Sequence, residues 1–362
     1  IRDRDVTRVQ TCALPIWEGV IKLYKLRKLF LFILCITIVF ALGINADDTK
    51  FPAQALYNSK TMTKDINAML YEYAEKYPYY VYVTKVGESY HKQDILTMKI
   101  GNGGKHIFIN AAHHGKEYMT SILAMNQIDY LINKYKSDKE IQQLLDEVSV
   151  VFLPVVNPDG VEISRGFLKP IGNIPVSNKV SISNIYASWK ANGKGVDLNR
   201  NYPMRWDYIV NDPGRPNSKN YKGPKPFSEI ETQIVRDLCK EYDFEVVIAY
   251  HSAGEVIFWY GYQDKETEKR DYNIVKNISK ITGYRIDEVR STAGGMKDWF
   301  VQEYKKPGFT LEIGSPRYVG EYIQLPYSEY SKVWNQNKDV PEYLLKLVRD
   351  ELNPNSNPSS NN

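Results

Sequence analysis

Residues 105–117 read KHIFINAAHHGKE and join a short apolar run to a group of side chains that can bind a metal ion. The run IFINAA is typical of a buried β-strand, because it is short and almost entirely apolar. His114 and Glu117 follow it with the spacing H-x-x-E, which sets an imidazole and a carboxylate about one turn apart. The pair can therefore converge on one metal ion just beyond the end of a strand.

The rest of the chain alternates between strand-like and helix-like patterns. We predict strands at residues 80–86, 95–100, 105–111, 148–156, 244–250 and 309–313, the first two as a hairpin. We predict helices at residues 64–76, 117–135, 227–242, 265–281 and, for the most part, 327–351. Strands that alternate with helices indicate an α/β sheet covered on both faces. Residues 161–225 show little periodicity, and a stretch of this length in a compact domain is usually functional surface.

His251 directly follows the predicted strand FEVVIAY, residues 244–250. Ligands in open α/β sheets bind beyond the carboxyl ends of strands, so His251 and the H-x-x-E pair can meet at one edge. Two histidines and one glutamate with an open fourth position form a known catalytic zinc set. Taken alone, the H-x-x-E spacing fits a surface turn with incidental charges at least as well, and the metal site depends on further motifs.

The composition is that of a globular protein, with 43% hydrophobic and 25% charged residues. Seven of the 47 basic residues and three of the 43 acidic ones lie in residues 1–46, so residues 47–362 carry no net charge. This balance gives no indication of a nucleic-acid partner. A single apolar run approaches the length of a membrane span, which excludes a polytopic membrane protein.

Residues 17–46 have the order of a secretory signal peptide. The basic stretch KLYKLRK at 22–28 precedes sixteen nearly unbroken apolar residues at 29–44, and Asn45 and Ala46 follow. We predict cleavage after Ala46 and therefore a secreted or cell-surface protein. The alternative is an uncleaved membrane anchor at 29–44, although that run is shorter than the roughly twenty residues that span a bilayer. Contact with a membrane is expected only in that case.

The two ends of the chain are not expected to belong to the folded domain. Residues 9–16, VQTCALPI, resemble translated sequencing adapter and no Met precedes Met62, so we interpret residues 1–16 as a non-native segment. Residues 353–362, NPNSNPSSNN, are polar and predicted to be disordered. Residues 47–352 are then one predicted domain. Of the three cysteines, Cys239 alone lies in this domain, which excludes an intramolecular disulfide and a cysteine-based zinc site there.

Seven motifs occur in an order that resembles the zinc carboxypeptidase family. The motifs read HHGKE, PVVNPDG, SWKANGKGVDLNRNYP, GPKPFSE, the His251 strand, STAGGMKDW and FTLEIG, and the resemblance as a whole covers about residues 56–350. The resemblance is specifically to the bacterial branch that is similar to the γ-D-glutamyl-L-diamino acid endopeptidases. It implies a single α/β domain with a mixed, largely parallel sheet covered by helices on both faces. It also implies one zinc ion per chain and a peptide substrate.

By position, the resemblance implies that His114, Glu117 and His251 are the zinc ligands. His113 competes with His114 for the first place, and the family's H-x-x-E spacing selects His114. Asp197 matches the carboxylate that orients a ligand imidazole, a role that ligand histidines usually require. The alternative for Asp197 is a turn-capping role.

The resemblance also implies roles for four residues around the metal. Asn199 and Arg200 match the pair that grips the substrate's terminal carboxylate, a task that suits the planar guanidinium. Glu312 matches the catalytic glutamate, which moves a proton from water to the leaving nitrogen. Lys190 stands where digestive members carry an arginine that stabilises the oxyanion. A lysine can supply the positive charge but not the two parallel hydrogen bonds that a planar guanidinium donates. The alternatives are a surface salt bridge for Arg200, a paired core carboxylate for Glu312 and a solvated side chain for Lys190.

Two further residues depart from the digestive members of the family. Arg290 replaces a mobile tyrosine, and Lys297 occupies the position that sets side-chain specificity. Together they suggest a substrate pocket that favours acidic or zwitterionic groups. Exposed surface positions are the alternative for both.

The function implied by the resemblance is an exported zinc metallopeptidase that hydrolyses peptide bonds next to a free carboxylate. The expected substrate is a peptidoglycan stem peptide, cut at the γ-D-glutamyl–diaminopimelate bond. Diaminopimelate carries a free amine and an extra carboxylate, which is compatible with the pocket suggested by Arg290 and Lys297. The first alternative is a general metallocarboxypeptidase that releases C-terminal L-amino acids. An alternative of another class is a non-catalytic zinc-containing wall-binding module, against which Glu312 argues. A deacylase acting on small amides is a more remote alternative.

Overall fold

The apolar run at residue 105 forms the strand β3 (Lys105–Ala111), which lies in the middle of a mixed sheet. The computed structural model describes residues 51–172, 174, 182–288, 293–319, 324–350 and 352. The other strands within them are β1 (Val81–Glu88), β2 (Asp94–Ile100), β4 (Val148–Leu153), β5 (Val246–Ser252), β6 (Val256–Phe258), β7 (Arg285–Asp287) and β8 (Gly308–Ile313). These eight strands lie in the order β1-β2-β4-β3-β5-β8-β6-β7.

Helices connect the strands and pack on the sheet. In chain order they are α1 (Ala53–Asn58), α2 (Met62–Lys76), α3 (Met119–Ser137), α4 (Lys139–Glu147), α5 (Pro158–Ser164), α6 (Ile182–Ala187), α7 (Ile230–Tyr242), α8 (Lys265–Thr282), α9 (Met296–Tyr304), α10 (Tyr330–Asn337) and α11 (Val340–Asp350). Short 3-10 turns form at Gly115–Glu117, Leu198–Arg200, Trp206–Tyr208, Pro316–Tyr318 and Tyr327–Glu329. The first two of these turns carry predicted site residues.

Four neighbouring strands at the centre of the sheet, β4, β3, β5 and β8, run parallel to each other. Strands β6 and β7 also pair in parallel, whereas β1 with β2, β2 with β4, and β6 with β8 pair antiparallel. Parallel neighbours end at the same edge, and the register of β5 and β8 sets His251 directly beside Glu312. The sheet therefore delivers two predicted site residues to one edge.

The alternation of side chains along β3 divides the core into two layers. Ile107, Ile109 and Ala111 face a layer that includes α2, α3, α4, α8, α10 and α11, whereas Phe108 faces a second layer with α7 and α9. The apolar side chains of both layers are buried. The prediction of an α/β domain with a mixed, largely parallel sheet covered by helices on both faces is confirmed.

Several predicted boundaries differ from the observed ones, each for a local reason. The strand β4 ends at Leu153 rather than three residues later, because Pro154 lacks the N–H that a ladder bond requires. The helix predicted to begin at Glu117 begins at Met119, because Gly115–Glu117 forms a 3-10 turn of its own. The elements absent from the prediction have nine residues or fewer, too short for a clear periodicity.

Three predicted segments lie outside the described residues: the adapter-like segment 1–16, the signal peptide 17–46 and the tail 353–362. In the part of the chain that the structure describes, no helix combines the length and the apolar character needed to cross a membrane. The choice between a cleaved signal and an anchor at 29–44 therefore stays a prediction.

Ile109→Ala should lower the free energy of unfolding by about 2–5 kcal/mol, because it removes a fully buried side chain from the central strand and leaves a cavity. Urea unfolding followed by circular dichroism measures the loss. Ile171→Ala is the matched control, since that side chain is 45% exposed. Its truncation should cost less than about 0.5 kcal/mol. Equal losses in the two variants would contradict the central position of β3.

Candidate metal centre and active site

The loop that follows β3 brings His114 and Glu117 to the edge of the sheet. Its 3-10 turn is fixed by two backbone hydrogen bonds of 2.7 and 3.2 Å to the carbonyl groups of residues 189–190. A Cβ atom on Gly115 would lie 2.1 Å from the carbonyl oxygen of Gly160, so this close approach requires glycine. Packing as well as sequence therefore sets the distance between the two candidate ligands.

Glu117 lies between the two candidate histidines. Its Oε1 atom is 3.0 Å from His114 Nδ1, and its Oε2 atom is 2.9 Å from His251 Nδ1. All three side chains are buried, and one ligand atom from each lies within 4.8 Å of the others. Two imidazole nitrogens and a carboxylate oxygen are a donor set of catalytic zinc sites, so these residues fit a zinc ion. The structure thus brings the three predicted ligands together.

Asp197 holds the imidazole of His114 from the other side. Its Oδ1 atom lies 3.1 Å from His114 Nε2, and its Oδ2 atom accepts a hydrogen bond from the Asn220 N–H at 3.0 Å. Burial opposes ionisation of this carboxyl, but the neighbouring His114 holds its pKa well below the ordinary range. Asp197 also accepts a hydrogen bond from the Asn199 N–H at 3.2 Å, so it caps the turn as well. A carboxylate on Nε2 leaves Nδ1 of His114 to face the metal site.

His113 is adjacent to this group but does not belong to it. Its Nε2 atom lies 3.0 Å from the hydroxyl of Tyr202, in the core layer of α7 and α9. Its ring stacks on that of His251 at a centroid distance of 5.7 Å. Burial, and then the neighbouring histidines, lower the pKa of His113 well below its ordinary range, so this side chain stays neutral. His113 therefore packs against His251 and bonds to Tyr202, and His114 is the histidine of the pair that joins the candidate ligands.

Two charged side chains flank the candidate ligands. Glu312 is partly buried near the end of β8, beside His251 on the neighbouring strand. Burial, and then the negative charge of Glu117, raise the pKa of Glu312 above its ordinary range. Lys190 Nζ lies 3.6 Å from Glu117 Oε1, and 31% of its side chain is exposed. Burial opposes its charge, but Glu117 and the nearby carboxylates raise the pKa of Lys190, which therefore stays protonated.

A cavity of about 350 Å³ opens beside these residues. Its described walls include six of the predicted site residues, namely His114, Lys190, Asn199, Arg200, Lys297 and Glu312. Gly294 lies between the lining residues Ala293 and Gly295 and has a φ of +71°, and a Cβ atom there would lie 2.6 Å from the carbonyl oxygen of Arg200. The Arg200 Nη1 atom donates to the carbonyl of Asn199 at 2.9 Å. The cavity is thus bordered both by residues of the candidate metal centre and by Arg200.

Lys297 is buried in the wall of this cavity. Its Nζ atom donates to the carboxylate of Asp298 and to the carbonyl of Tyr260, and both charged side chains line the cavity. Each of the two side chains is 5% exposed, so Lys297 is not a surface residue. Asp298 is absent from the predicted site, although it directly follows Lys297 in the sequence. Arg290, the other residue predicted for this pocket, lies outside the described residues.

Three kinds of similarity connect the chain to known proteins. The model of the zinc carboxypeptidase family matches residues 66–340. Gamma-D-glutamyl-L-diamino acid endopeptidase 1 of Lysinibacillus sphaericus is 30% identical, over 78% of this chain and 70% of its own. Carboxypeptidase B of Astacus astacus is 29% identical, over 79% of this chain and 96% of its own. Bovine thrombin-activatable fibrinolysis inhibitor, a solved structure, matches with a TM-score of 0.62 at 20% identity, over 79% of this chain and 96% of that chain, which shows a shared fold.

His251→Ala should remove most of the zinc that the purified protein binds, because two ligands rarely hold a catalytic ion. Zinc per chain is measured by plasma mass spectrometry after dialysis, with circular dichroism to check the fold. His106→Ala is the control, because it removes an imidazole from the opposite end of β3. Full zinc occupancy in His251→Ala would show that this residue is not a ligand.

Glu312→Gln should keep both the zinc and the fold while lowering turnover by about 10²- to 10⁴-fold, the usual share of general acid–base catalysis. The amide has nearly the volume of the carboxylate, so proton transfer is the property that changes. Glu303→Gln, on the exposed face of α9, is the control. Steady-state hydrolysis of wall peptides and N-blocked dipeptides gives the rates. Unchanged turnover in Glu312→Gln would place the base elsewhere.

Proposed function

The chain belongs to the zinc carboxypeptidase family, and we propose that it is an exported zinc metallopeptidase that acts on bacterial cell-wall peptides. The bond proposed for cleavage joins the γ-carboxyl group of D-glutamate to diaminopimelate in peptidoglycan stem peptides. The similarity to an enzyme named as a γ-D-glutamyl-L-diamino acid endopeptidase supports this class of substrate.

The proposed reaction assigns one task to each charged group at the metal centre. A zinc ion held by His114, Glu117 and His251 would supply Lewis-acid activation of water and of the scissile carbonyl. Glu312 takes the proton from the attacking water and passes it to the leaving nitrogen, for which its raised pKa is suited. Lys190 places a permanent positive charge beside the carbonyl oxygen, where negative charge develops.

The substrate assignment is carried by the ion pair of Lys297 and Asp298 in the cavity wall. The side chain of diaminopimelate ends in an amine and a carboxylate, and so presents one charge of each sign. The ion pair presents the same two signs to the cavity. Burying an ion pair costs desolvation that a neutral pocket avoids, and an apolar substrate side chain would not offset it. The pocket and the zwitterionic end group are therefore complementary in charge.

Asn199 and Arg200 line the same cavity as His114 and this ion pair. They are positioned to hold a carboxylate on the carbon next to the scissile nitrogen, and the guanidinium can do so through two hydrogen bonds. A general metallocarboxypeptidase needs the same contact, so these two residues support either activity. The ion pair is the feature that favours diaminopimelate.

Export is proposed from the order of residues 17–46, in which a basic stretch precedes an apolar one and a small residue. Peptidoglycan lies outside the cytoplasmic membrane, so an enzyme that trims it there has to be exported. A secreted form and a form anchored by residues 29–44 both satisfy this requirement.

Mass spectrometry of the products from purified muropeptides tests the proposal. The protein should cut the γ-D-glutamyl bond and prefer diaminopimelate peptides over lysine peptides by about 10- to 150-fold in kcat/KM, the value of one charge-assisted contact. The intact pair can tell the two peptides apart because lysine lacks the extra carboxylate of diaminopimelate. The double variant Lys297→Met/Asp298→Asn removes both charges of the pair and should therefore lose this preference. Changing both residues avoids leaving one buried charge unpaired.

Asp237→Asn/Lys240→Met is the matched control, since it removes one charge of each sign from the exposed face of α7. The control should retain the preference. Equal effects of the pocket variant on both peptides would remove the residue-level support for diaminopimelate. Release of C-terminal residues from N-blocked dipeptides, without cleavage of the γ-D-glutamyl bond, would instead favour the general metallocarboxypeptidase.

A further inference from the structure

The two imidazoles that fit a zinc ion are held in different ways. His114 Nε2 lies 3.1 Å from a carboxylate oxygen of Asp197, which fixes the plane of that ring. His251 Nδ1 lies 2.9 Å from Glu117, but its Nε2 atom is buried and has no hydrogen-bond partner among the residues that the structure describes. Within those residues, no side chain therefore does for His251 what Asp197 does for His114.

Two neighbouring rings pack against His251 instead. The ring of His113 lies against it at a centroid distance of 5.7 Å, with 27° between the two planes. The ring of His114 meets it edge-on at 4.8 Å and 64°. Both distances are within the range of favourable contacts between aromatic rings. His113 is not one of the three candidate ligands, so it can orient His251 without occupying a coordination position.

The register of the sheet explains why His113 reaches this position. Strand β3 pairs in parallel with β5, and Ala111 at its end lies opposite Tyr250. The residues that follow, His113 and His251, therefore lie at the same edge of the sheet. The carbonyl of His113 accepts a hydrogen bond from Asn157 Nδ2 at 3.0 Å, and the whole residue is buried. The backbone of His113 is thus held in place beyond the end of its strand.

The imidazole of His113 is fixed in turn by Tyr202. Its Nε2 atom lies 3.0 Å from the Tyr202 hydroxyl, and this hydrogen bond restricts the rotation of the His113 ring. Tyr202 is fully buried, and its own ring packs against Phe227 and Trp299 at centroid distances of 5.5 Å. A continuous series of contacts therefore runs from the core layer of α7 and α9 through Tyr202 and His113 to His251.

Packing alone does not require a histidine at position 113. A leucine would fill a similar volume without polar atoms, whereas the Nδ1 atom of His113 is buried and has no hydrogen-bond partner in the described ranges. Burying such an atom is costly. An imidazole combines a flat face with a hydrogen-bonding edge, and here the face meets His251 while the edge meets Tyr202. Both properties of the side chain are thus in use directly beside a candidate ligand.

We propose that His113 is a positioning residue for the metal ligand His251. Its flat face holds the ligand imidazole at the angle that zinc binding requires, and Tyr202 holds His113 in the matching orientation. His113 acts through His251 and does not bind the ion itself. The inference concerns the metal centre alone, so it does not depend on which peptide bond the protein cuts.

Two double variants separate the flat ring from mere volume. Both carry Tyr202→Phe, so that no buried hydroxyl loses its partner. His113→Phe/Tyr202→Phe keeps a flat ring against His251, whereas His113→Leu/Tyr202→Phe keeps apolar volume without the flat face. The dissociation constant for zinc, measured by competition with a chromophoric chelator, should rise about 10-fold in the leucine variant, as is usual when the support of a metal ligand is lost. It should rise less than about 3-fold in the phenylalanine variant, because the ring contact remains.

Two further measurements distinguish positioning from general packing. The visible absorption bands of the cobalt-substituted protein depend on the arrangement of the ligands, so they should change in the leucine variant and match the parent in the phenylalanine variant. Thermal unfolding of the metal-free proteins, followed by circular dichroism, records the loss of packing by itself.

His106→Leu is the matched control. It removes another imidazole of β3 that also contacts a hydroxyl, Ser149 Oγ at 2.7 Å, and an aromatic ring, Tyr242 at 5.1 Å. His106 lies at the opposite end of the strand from the metal centre. This control should therefore keep the zinc affinity and the cobalt spectrum of the parent.

Zinc affinity in the leucine variant within about 2-fold of the parent would overturn the inference, even if the metal-free protein became less stable, because His113 would then have a structural role only. Equal losses in the two double variants would also overturn it, since the flat ring would not be the property that matters. If the leucine variant does not fold, His113→Met/Tyr202→Phe replaces it with the same expected loss, because methionine adapts to irregular space. None of these outcomes involves a peptide substrate, so the proposed function is tested separately.

Discussion

The buried carboxylate of Glu117 is the constraint on which the rest of the site depends. Its side chain is 2% exposed, and an ionised carboxylate in such a place is costly unless cations and donors surround it. Its oxygens meet His114 Nδ1, His251 Nδ1, the N–H of Ser252 at 3.3 Å and Lys190 Nζ. Although burial opposes it, these neighbours hold the pKa of Glu117 well below the ordinary range. Three separate segments of the chain therefore have to meet at this one group.

The fold satisfies this constraint by dividing the site between strands and loops. His251 and Glu312 lie side by side on parallel strands, and the turn of Glu117 packs against backbone so closely that Gly115 is required. Rigid elements thus position the groups proposed to react. Lys190, Asn199 and Arg200 lie in the region of low periodicity at 161–225. Loops on a rigid scaffold are where substrate contacts can vary without disturbing the chemistry.

Much of this arrangement could be predicted from the sequence, and the family and fold class are confirmed. The H-x-x-E spacing and the strand before His251 are local signals, and the structure brings the predicted ligands together. The contact between Lys297 and Asp298 could not be predicted, because adjacent residues on a helix do not ordinarily face each other. The close approach of Gly115 to Gly160 depends on contacts between distant segments, for which the sequence holds no periodic signal.

The ion pair in the cavity wall is the second costly feature of the site. Lys297 and Asp298 are each 5% exposed, and removing two charges from water costs a desolvation free energy that their mutual attraction repays only in part. The pair lines the same cavity as His114 and Glu312, so this cost is incurred beside the candidate metal centre and not in a remote part of the core. Apolar residues would fill the same volume without the cost, whereas a ligand with one charge of each sign can interact with both members of the pair. The proposed zwitterionic end group of diaminopimelate is a ligand of this kind, which is why the pair bears on the choice of substrate.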